Sequence, residues 1–218
     1  MKLDAVIFDM DGVIYDSEKM YFAADQLAAQ KLGMKGFTLD YYKQFLGSGY
    51  DVMYAKMVKD YGDPALIKKF LALAREEIIS LVKEGKLQFK PGVFALTDYL
   101  TANHITYGLA SSNYRQDIDF YLKETHFENR FDFIVSGDDV QKSKPAPDVF
   151  LKAWEDAGKP DKKKTIVIED ATNGVIAANR AGIPVIMVPD YTKPGNFEEE
   201  HTLTIQPNLN KVLEFIKN

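Results

Sequence analysis

Four short polar stretches of this 218-residue sequence combine carboxylates, hydroxyls and one lysine. They are Asp9-Met10-Asp11-Gly12, Ser111-Ser112-Asn113, Lys144-Pro145 and Glu169-Asp170. Carboxylates that are brought together repel one another unless a cation holds them. The chain has no cysteine, and none of its three histidines lies in these stretches, so the oxygen donors favour Mg²⁺. A divalent cation beside a carboxylate permits in-line attack on phosphorus, so the set predicts phosphoryl transfer.

Residues of the first three stretches have candidate roles in that chemistry. Asp9 is the candidate nucleophile and would form an aspartyl-phosphate. Asp11 is the candidate acid and base, which would protonate the leaving oxygen and then activate water. Side chains alternate along a strand, so Asp9 and Asp11 are expected to point into one pocket. Lys144 and Ser111, with the N–H groups of the residues after Ser111, would offset the charge of the phosphoryl oxygens.

The elements that must position these residues are short apolar runs separated by helical patterns. Runs this short and this rich in Val and Ile predict buried parallel strands. Their alternation with helices predicts an α/β fold with a doubly wound, Rossmann-like parallel sheet. The predicted strands are residues 5–8, 105–110, 133–135, 165–168 and 185–188, and the predicted helices include residues 93–103, 114–124, 148–157 and 173–181. Ligands of such sheets bind beyond the carboxyl ends of the strands, where the polar stretches lie.

A second pair of aspartates has the same spacing but a different context. Asp117 and Asp119 flank Ile118 inside a helical pattern, with no apolar run before them and no glycine after them. Charges in such a pattern are typical of a solvated helix face. We therefore predict that this pair lies on the surface and takes no part in the chemistry.

Residues 17–87 interrupt the alternation, because they show helical periodicity and no strand run. Tyr50, Met53, Tyr54, Met57 and Val58 fall on one face of a predicted helix. We predict a helical domain at residues 17–87, inserted into a core domain of residues 1–16 and 88–218. The glycine- and proline-containing edges, residues 12–16 and 86–92, are the expected hinges.

Composition limits the partners. Lys and Arg number 27 and Asp and Glu number 32, for a formal charge of −5, so attraction to phosphate must come from a local site. Nucleic acid and membranes are therefore not expected partners, and no segment approaches the ~20 apolar residues of a membrane span. A chain without cysteine fits a reducing compartment. We expect a cytoplasmic monomer that acts on a small molecule.

With their neighbours, the four polar stretches resemble the motifs of the haloacid dehalogenase superfamily of phosphotransferases. The resemblance is to the branch that contains β-phosphoglucomutase and related sugar-phosphate phosphatases with a helical cap. The motifs span nearly the whole chain in the expected order. They are Asp9-Met10-Asp11-Gly12-Val13-Ile14-Tyr15-Asp16-Ser17-Glu18, Leu109-Ala110-Ser111-Ser112-Asn113, Ser143-Lys144-Pro145-Ala146-Pro147-Asp148, and Glu169-Asp170-Ala171 followed by Gly174.

The resemblance implies a role for each matching residue. Asp9 would be nucleophile and metal ligand, and Asp11 would be acid and base and lend its backbone carbonyl to Mg²⁺. Glu169 and Asp170 would complete the metal site. The phosphoryl group would be held by Ser111, Ser112, Asn113 and Lys144. Residues 17–87 would be a cap that closes over the substrate and excludes water.

Within the superfamily, the predicted activity is hydrolysis of a small phosphorylated metabolite. The metabolite is expected to be a sugar phosphate. A β-phosphoglucomutase-type phosphomutase is the alternative. Mutases usually have a histidine where this chain has Tyr21, and a phosphate-binding arginine in the loop that here reads Leu46-Gly47-Ser48-Gly49-Tyr50-Asp51. A mutase must hold a second phosphate, so the loss of a cationic donor weakens that reading.

Other members of the superfamily and one other protein class fit less well. Dehalogenases and phosphonate-cleaving enzymes lack the residue equivalent to Asp11. A phospho-receiver module, which stores an aspartyl-phosphate without turnover, would be shorter and would lack the helical insertion. The candidates for substrate specificity in the cap are Lys19, Tyr21, Tyr50 and Tyr54.

Overall fold

The computed structural model describes residues 2–218, which form an α/β fold around one six-stranded sheet. The strands are β1 (Ala5–Phe8), β2 (Thr106–Ala110), β3 (Phe133–Val135), β4 (Thr165–Glu169), β5 (Val185–Met187) and β6 (Thr204–Ile205). Their spatial order is β3-β2-β1-β4-β5-β6, and every neighbouring pair is parallel. Strand β1, the first along the chain, therefore lies at the centre of the sheet.

Helices cover both faces of the sheet and fill the segment between β1 and β2. Four of them, α1 to α4, precede α5, and each later strand is followed by at least one more. The helices are α1 (Glu18–Lys31), α2 (Leu39–Tyr42), α3 (Tyr50–Tyr61), α4 (Pro64–Lys83), α5 (Val93–Ala102), α6 (Arg115–Glu124), α7 (Asp148–Asp156), α8 (Thr172–Ala181), α9 (Asn196–His201) and α10 (Leu209–Lys217).

The alternation of side chains along the strands explains the two layers of helices. In β1, Val6 and Phe8 join the apolar cluster on one face, and Ile7 joins the cluster on the other face. All four residues of β1 are fully buried. A strand that is apolar on both faces is stable only between two layers, which is why these runs are continuous rather than alternating.

The predicted α/β sheet is confirmed, and the predicted strands and helices agree with the observed ones to within one residue at each end. Two short elements at the end of the chain, β6 and α9, and the last helix α10 were not predicted. Strand β6 has only two residues and is held by backbone hydrogen bonds to β5, such as that from Gln206 N–H to Met187 O. A pair of residues carries no periodicity that could identify it.

The segment between β1 and α5 is helical and has an apolar cluster of its own. Phe37, Met57 and Phe70 are buried in that cluster, and α1 packs against α4. The start of α1 and the end of α4 also join the apolar cluster on one face of the sheet, through Met20 and Ile78. The segment is therefore anchored on the sheet by α1 and α4.

No helix in the part of the chain that the structure describes combines the length and the apolar character needed to cross a membrane.

Candidate active site

Three of the polar stretches meet at the carboxyl edge of the sheet because their strands are neighbours. Strand β1 pairs with β2 on one side and with β4 on the other, with Phe8 opposite both Leu109 and Ile168. The residues that follow these three positions therefore lie side by side. The candidate residues that line one cavity at this edge are Asp9, Asp11, Ser111, Ser112, Asn113, Lys144 and Asp170. Glu169 lies beneath them and is fully buried.

Lys144 is brought to this edge from the loop before α7. Its Nζ donates to Asp9 Oδ1 at 2.5 Å and to Glu169 Oε1 at 3.4 Å, and the residue is 1% exposed. Burial opposes a charge on the amine, but the carboxylates of Asp9 and Glu169 raise the pKa of Lys144 above its ordinary value. The ammonium is thus a fixed positive charge beside the candidate nucleophile.

The carboxylates of Asp9, Glu169 and Asp170 form a buried cluster that fits a divalent cation. One oxygen of each lies within 4.8 Å of the others. Asp170 Oδ2 is buried and has no hydrogen-bond partner in residues 2–218. Burial, together with the neighbouring Glu169, raises the pKa of Asp170 well above its ordinary value. A hard cation with oxygen ligands would satisfy that oxygen and offset the repulsion, so these residues fit Mg²⁺.

Two glycines allow the carboxylates to come so close to the backbone. Gly12 has φ +72°, and a Cβ there would lie 2.3 Å from Asp170 Oδ2. A Cβ at Gly174, in the first turn of α8, would lie 1.6 Å from Glu169 Oε1. Any side chain at either position would displace a carboxylate of the cluster.

Asp11 is held by two hydrogen bonds. Ser17 Oγ donates to Oδ1 and Asn113 Nδ2 donates to Oδ2, each at 2.7 Å. Burial and the charge of Asp9 raise the pKa of Asp11 to about 6. A raised pKa keeps part of the carboxyl protonated near neutral pH, which suits a group that delivers a proton to a leaving oxygen.

The two serine hydroxyls after β2 differ in whether they have a hydrogen-bond partner. Ser111 Oγ accepts a hydrogen bond from the backbone N–H of Asn113, and Ser112 Oγ is buried without a partner among the described residues. The side chain of Asn113 binds Asp11, so it orients that carboxyl rather than facing the cavity freely. The free hydroxyl of Ser112 is therefore the group of this stretch with unused hydrogen-bonding capacity.

The cavity lies between the sheet edge and the helical segment, and its volume is about 830 Å³ including its opening to solvent. The loop before α3 forms its roof. Asn173 Nδ2 donates to Leu46 O and to Ser48 Oγ, both at 3.1 Å, which ties that loop to the start of α8. The ring of Tyr50 stacks on Tyr114, with centroids 5.2 Å apart. The roof is thus in contact with the sheet edge on two sides.

The four specificity candidates from the sequence divide into two pairs. Tyr21 and Tyr50 line the cavity. Lys19 lies outside it, with a side chain 68% exposed and paired with Asp16. Tyr54 packs against the apolar cluster of the helical segment, also outside the cavity. Lys19 lies one residue after Glu18 and two residues before Tyr21, so the helical period turns its side chain away from the face of α1 that lines the cavity.

Sequence reasoning missed a set of cavity residues on the helical segment. Glu18 and Asp25 share a face of α1 with Tyr21, because they lie three residues before it and four residues after it, and both are buried. Tyr42 Oη donates a short hydrogen bond to the carboxyl of Glu18. Burial raises the pKa of Glu18 to about 8, and of Asp25 also to about 8. Carboxyls on the apolar face of a helix were the signal that could have identified them.

The prediction for Asp117 was wrong, because this aspartate is buried. It is 3% exposed and accepts two hydrogen bonds through Oδ1, from Arg75 Nη2 at 2.6 Å and Arg75 Nε at 3.1 Å. Arg75 lies on α4 and Asp117 on α6. Asp119, by contrast, is exposed and pairs with Arg115 within the same helix, as predicted. The ion pair joins residues that are 42 positions apart in the sequence, and no local pattern reports such a pairing.

The family model described as "Haloacid dehalogenase-like hydrolase" matches residues 6–188. The phosphorylated carbohydrates phosphatase of Thermotoga maritima is 33% identical over 186 residues, which are 83% of this chain and 82% of that protein. The (DL)-glycerol-3-phosphatase 2 of Arabidopsis thaliana is 32% identical over 195 residues, 85% of this chain and 79% of that protein.

The fold has a counterpart among solved structures. The crystal structure of CbbY from Rhodobacter sphaeroides in complex with phosphate superposes with a TM-score of 0.83 and 22% identity, and the match covers 96% of each chain. At this level of identity the likeness is one of fold.

Proposed function

The chain belongs to the haloacid dehalogenase-like hydrolases, and from this premise we propose that it is a Mg²⁺-dependent phosphatase of a small phosphorylated metabolite. Relatives that match most of the chain are phosphatases of phosphoric monoesters. The observation that carries the proposal is the convergence of Asp9, Asp11 and Lys144 on one cavity, beside a buried carboxylate cluster. We propose a sugar phosphate as the substrate.

In the first step, a carboxylate oxygen of Asp9 attacks the phosphorus atom of the bound ester. The bond from phosphorus to the alcohol oxygen breaks, and Asp11 gives its proton to that oxygen, so the product alcohol leaves neutral. The phosphoryl group is then held on Asp9 as an aspartyl-phosphate. Lys144 and the hydroxyls of Ser111 and Ser112 surround the phosphoryl oxygens and stabilise their charge.

In the second step, a water molecule attacks the phosphorus of the aspartyl-phosphate. Asp11, now ionised, takes a proton from that water, and the bond to the Asp9 oxygen breaks. Inorganic phosphate leaves and both aspartates return to their starting state. The two hydrogen bonds from Ser17 and Asn113 keep the carboxyl of Asp11 in one position through both steps.

Asp9, Glu169 and Asp170, with the backbone carbonyl of Asp11, would hold Mg²⁺. When bound, the cation supplies positive charge next to the phosphoryl oxygens and lowers the repulsion between them and the carboxylates. Lys144 supplies a second positive charge from the protein itself.

We propose that residues 17–87 act as a cap over a core of residues 1–16 and 88–218. The proposal is supported by the lining of the cavity, which has residues of α1 to α4 on one side and the reacting groups at the carboxyl edge of the sheet on the other. A cap in contact with the edge shields the aspartyl-phosphate from bulk water. A cytoplasmic location, a monomeric state and the lack of nucleic-acid partners stay predictions from the sequence.

A phosphomutase of the β-phosphoglucomutase type is the second candidate, because it would use the same groups. It would also need a cation for the second phosphate of a bisphosphate. Among the described residues that line the cavity, the cations are Lys144 and Arg75, and each is paired with a carboxylate. Hydrolysis is therefore favoured. Incubation with β-glucose 1-phosphate and a trace of bisphosphate separates the two, since a mutase yields glucose 6-phosphate and a phosphatase yields free phosphate.

The first prediction concerns Asp9 itself. The wild type with Mg²⁺ should hydrolyse p-nitrophenyl phosphate many times per chain, and Asp9→Asn should lose at least ~10³-fold in turnover with the fold intact, because the amide cannot act as nucleophile. Phosphate release and circular dichroism are the measurements. The matched control is Asp119→Asn, an exposed aspartate of α6, which should keep the parent rate.

Two results would contradict the assignment. One is an Asp9→Asn protein that releases phosphate at the parent rate. The other is a wild type that becomes phosphorylated once per chain and stops, which would favour a receiver module over an enzyme.

A further inference from the structure

The cavity wall formed by the helical segment contains a carboxyl group that the proposed reaction does not use. Asp25, on α1, is 6% exposed and lines the cavity. No hydrogen bond or ion pair joins its carboxyl to any other group of residues 2–218. Glu18 on the same helix is different, because its carboxyl accepts a hydrogen bond from Tyr42. Asp25 is thus a buried polar group whose partner is not supplied by the protein.

An unpaired carboxyl at a buried position costs stability, and an apolar side chain there would not. The cavity that Asp25 lines also contains apolar side chains, such as Met53, Leu71 and Ile78. Tyr21 lines the same cavity, and its buried hydroxyl lies near the carboxyl of Asp11. Two groups that can hydrogen-bond therefore face the space that a bound alcohol would occupy.

The charges in the cavity determine what kind of alcohol fits. The lining cations are Lys144, which is bound to Asp9, and Arg75, which is bound to Asp117. An anionic group near α1 would meet Glu18 and Asp25 and no unpaired cation among the described lining residues. Burial raises the pKa of Asp25 to about 8, so at neutral pH its carboxyl is largely protonated and can both donate and accept a hydrogen bond. An alcohol hydroxyl has the same two capacities.

We propose, resting on the phosphatase function above, that Asp25 is a specificity-determining residue that hydrogen-bonds a hydroxyl of an uncharged polyol or sugar leaving group. Tyr21 supplies the second polar contact on the same wall. The wall discriminates against leaving groups that carry a carboxylate or a second phosphate, because neither would find a free cation there. The substrate class is a monophosphate ester of a neutral polyhydroxyl compound.

A matched pair of esters tests the charge preference. Glycerol 3-phosphate and 3-phosphoglycerate differ only in that a CH₂OH group is replaced by a carboxylate. The wild type with Mg²⁺ should show at least ~10-fold higher kcat/KM for glycerol 3-phosphate. Fructose 1,6-bisphosphate should be a poorer substrate than fructose 6-phosphate for the same reason. Phosphoethanolamine, which replaces hydroxyls by an ammonium group, tests whether the wall prefers a cation.

Variants of Asp25 test the residue. Asp25→Ala and Asp25→Leu should each lower kcat/KM for glycerol 3-phosphate about tenfold, mainly through KM, and shrink the preference over 3-phosphoglycerate to about threefold or less. Asp25→Asn keeps a donor and an acceptor and should recover most of the loss. Asp25→Leu should melt no lower than the wild type, since it removes an unpaired polar group, which keeps the test valid if Asp25→Ala folds poorly. Glu76→Ala, an exposed carboxyl removed from α4, is the control and should match the parent.

The outcomes separate this inference from the function on which it rests. If the wild type releases no phosphate from any ester, p-nitrophenyl phosphate included, the phosphatase function itself fails. The phosphatase function stands if the wild type hydrolyses p-nitrophenyl phosphate. The role of Asp25 is then overturned if the wild type hydrolyses glycerol 3-phosphate and 3-phosphoglycerate equally well, or if it prefers phosphoethanolamine. It is also overturned if Asp25→Leu keeps the preference for glycerol 3-phosphate over 3-phosphoglycerate.

Discussion

At the scale of single residues, the two aspartates after β1 have different surroundings and therefore different chemistry. Asp9 accepts a hydrogen bond from the ammonium of Lys144, whereas Asp11 is bound by two neutral donors and lies beside the charge of Asp9. Burial and that neighbouring charge raise the pKa of Asp11 to about 6. A carboxyl with a raised pKa is suited to act as the acid, and the carboxylate bound by Lys144 is suited to act as the nucleophile.

The proposed role of Asp11 leads to a prediction that depends on the leaving group. Asp11→Asn should lower kcat for a sugar phosphate by ~10²-fold or more, because an alkoxide needs a proton in order to leave. With p-nitrophenyl phosphate, whose leaving group needs none, the first step should be less affected and the second should be slow. Rapid-mixing measurements should then show a burst of about one p-nitrophenol per chain. Equal losses for both esters and no burst would count against the assignment.

Burial of Asp25 predicts how stability depends on pH. Its pKa is about 8 in the folded chain and has its ordinary value of 3.8 when unfolded, so the folded state binds one proton more between these values. The contribution of Asp25 to stability is therefore greatest below its ordinary pKa and is lost as the pH rises towards 8. From about pH 5.5 to about pH 8.5, the free energy of unfolding should fall by at least ~1 kcal/mol more in the wild type than in Asp25→Asn.

Urea unfolding at the two pH values measures this difference, and other titrating groups cancel because both proteins contain them. A wild type and an Asp25→Asn variant with parallel pH profiles would show that the carboxyl is solvated in the folded state.

At the scale of elements, the start of α8 controls the metal cluster. A Cβ at Gly174 would lie 1.6 Å from Glu169 Oε1, so α8 and the end of β4 fit together only without a side chain there. Gly174→Ala should displace the Glu169 carboxyl and raise the Mg²⁺ concentration for half-maximal activity by about tenfold or more. Gly195→Ala is the control, because its Cβ would meet its nearest atom at an ordinary 3.7 Å.

Titration of phosphatase activity with Mg²⁺ gives the comparison between the two alanine variants. If Gly174→Ala binds Mg²⁺ as the parent does, Glu169 takes no part in holding the cation.

Elements built from local patterns could be predicted from the sequence, and contacts between distant parts could not. Strand β1 and helix α8 follow from a short apolar run and a helical period with Gly182 at its end, and the sheet topology then brings the strand ends together. The direction of Lys19 and Tyr54 depends on where a helix lies relative to the cavity. The burial of Asp117 depends on Arg75, which is 42 residues away. Such pairings are set by tertiary packing, and a single sequence does not report them.

At the scale of the whole molecule, the ion pair between Arg75 and Asp117 joins the helical segment to the sheet-bearing part of the chain. The side chain of Asp117 is 4% exposed and that of Arg75 is 43% exposed, so the two partners are not equivalent. Removing the arginine leaves a buried carboxylate without a counter-charge, whereas removing the carboxylate leaves a guanidinium that can reach water. The pair thus links α4 to α6, and its two partners differ in how much of the link each can lose.

This asymmetry predicts an order of stabilities. Arg75→Gln should lower the free energy of unfolding by about 1–3 kcal/mol, and the double variant with Asp117→Asn should recover part of the loss. Both single variants should raise KM, because the cavity wall is held less firmly. Arg115→Gln, which breaks an exposed pair inside α6, should change stability by less than ~0.5 kcal/mol.

Chemical denaturation of the four proteins completes the cycle. The ion pair contributes nothing to the free energy of unfolding if Arg75→Gln is as stable as the parent. The same conclusion follows if the double variant is the least stable of the four proteins.

The groups proposed to contact the leaving alcohol stand on α1 to α4, and the groups proposed to handle phosphorus stand on the loops after the strands. The first set is one uninterrupted stretch of the chain. Point mutations within that stretch can change the preferred alcohol over generations without rebuilding the machinery that cleaves the ester. A chimera that receives residues 17–87 from a relative should accordingly inherit the donor's substrate preference.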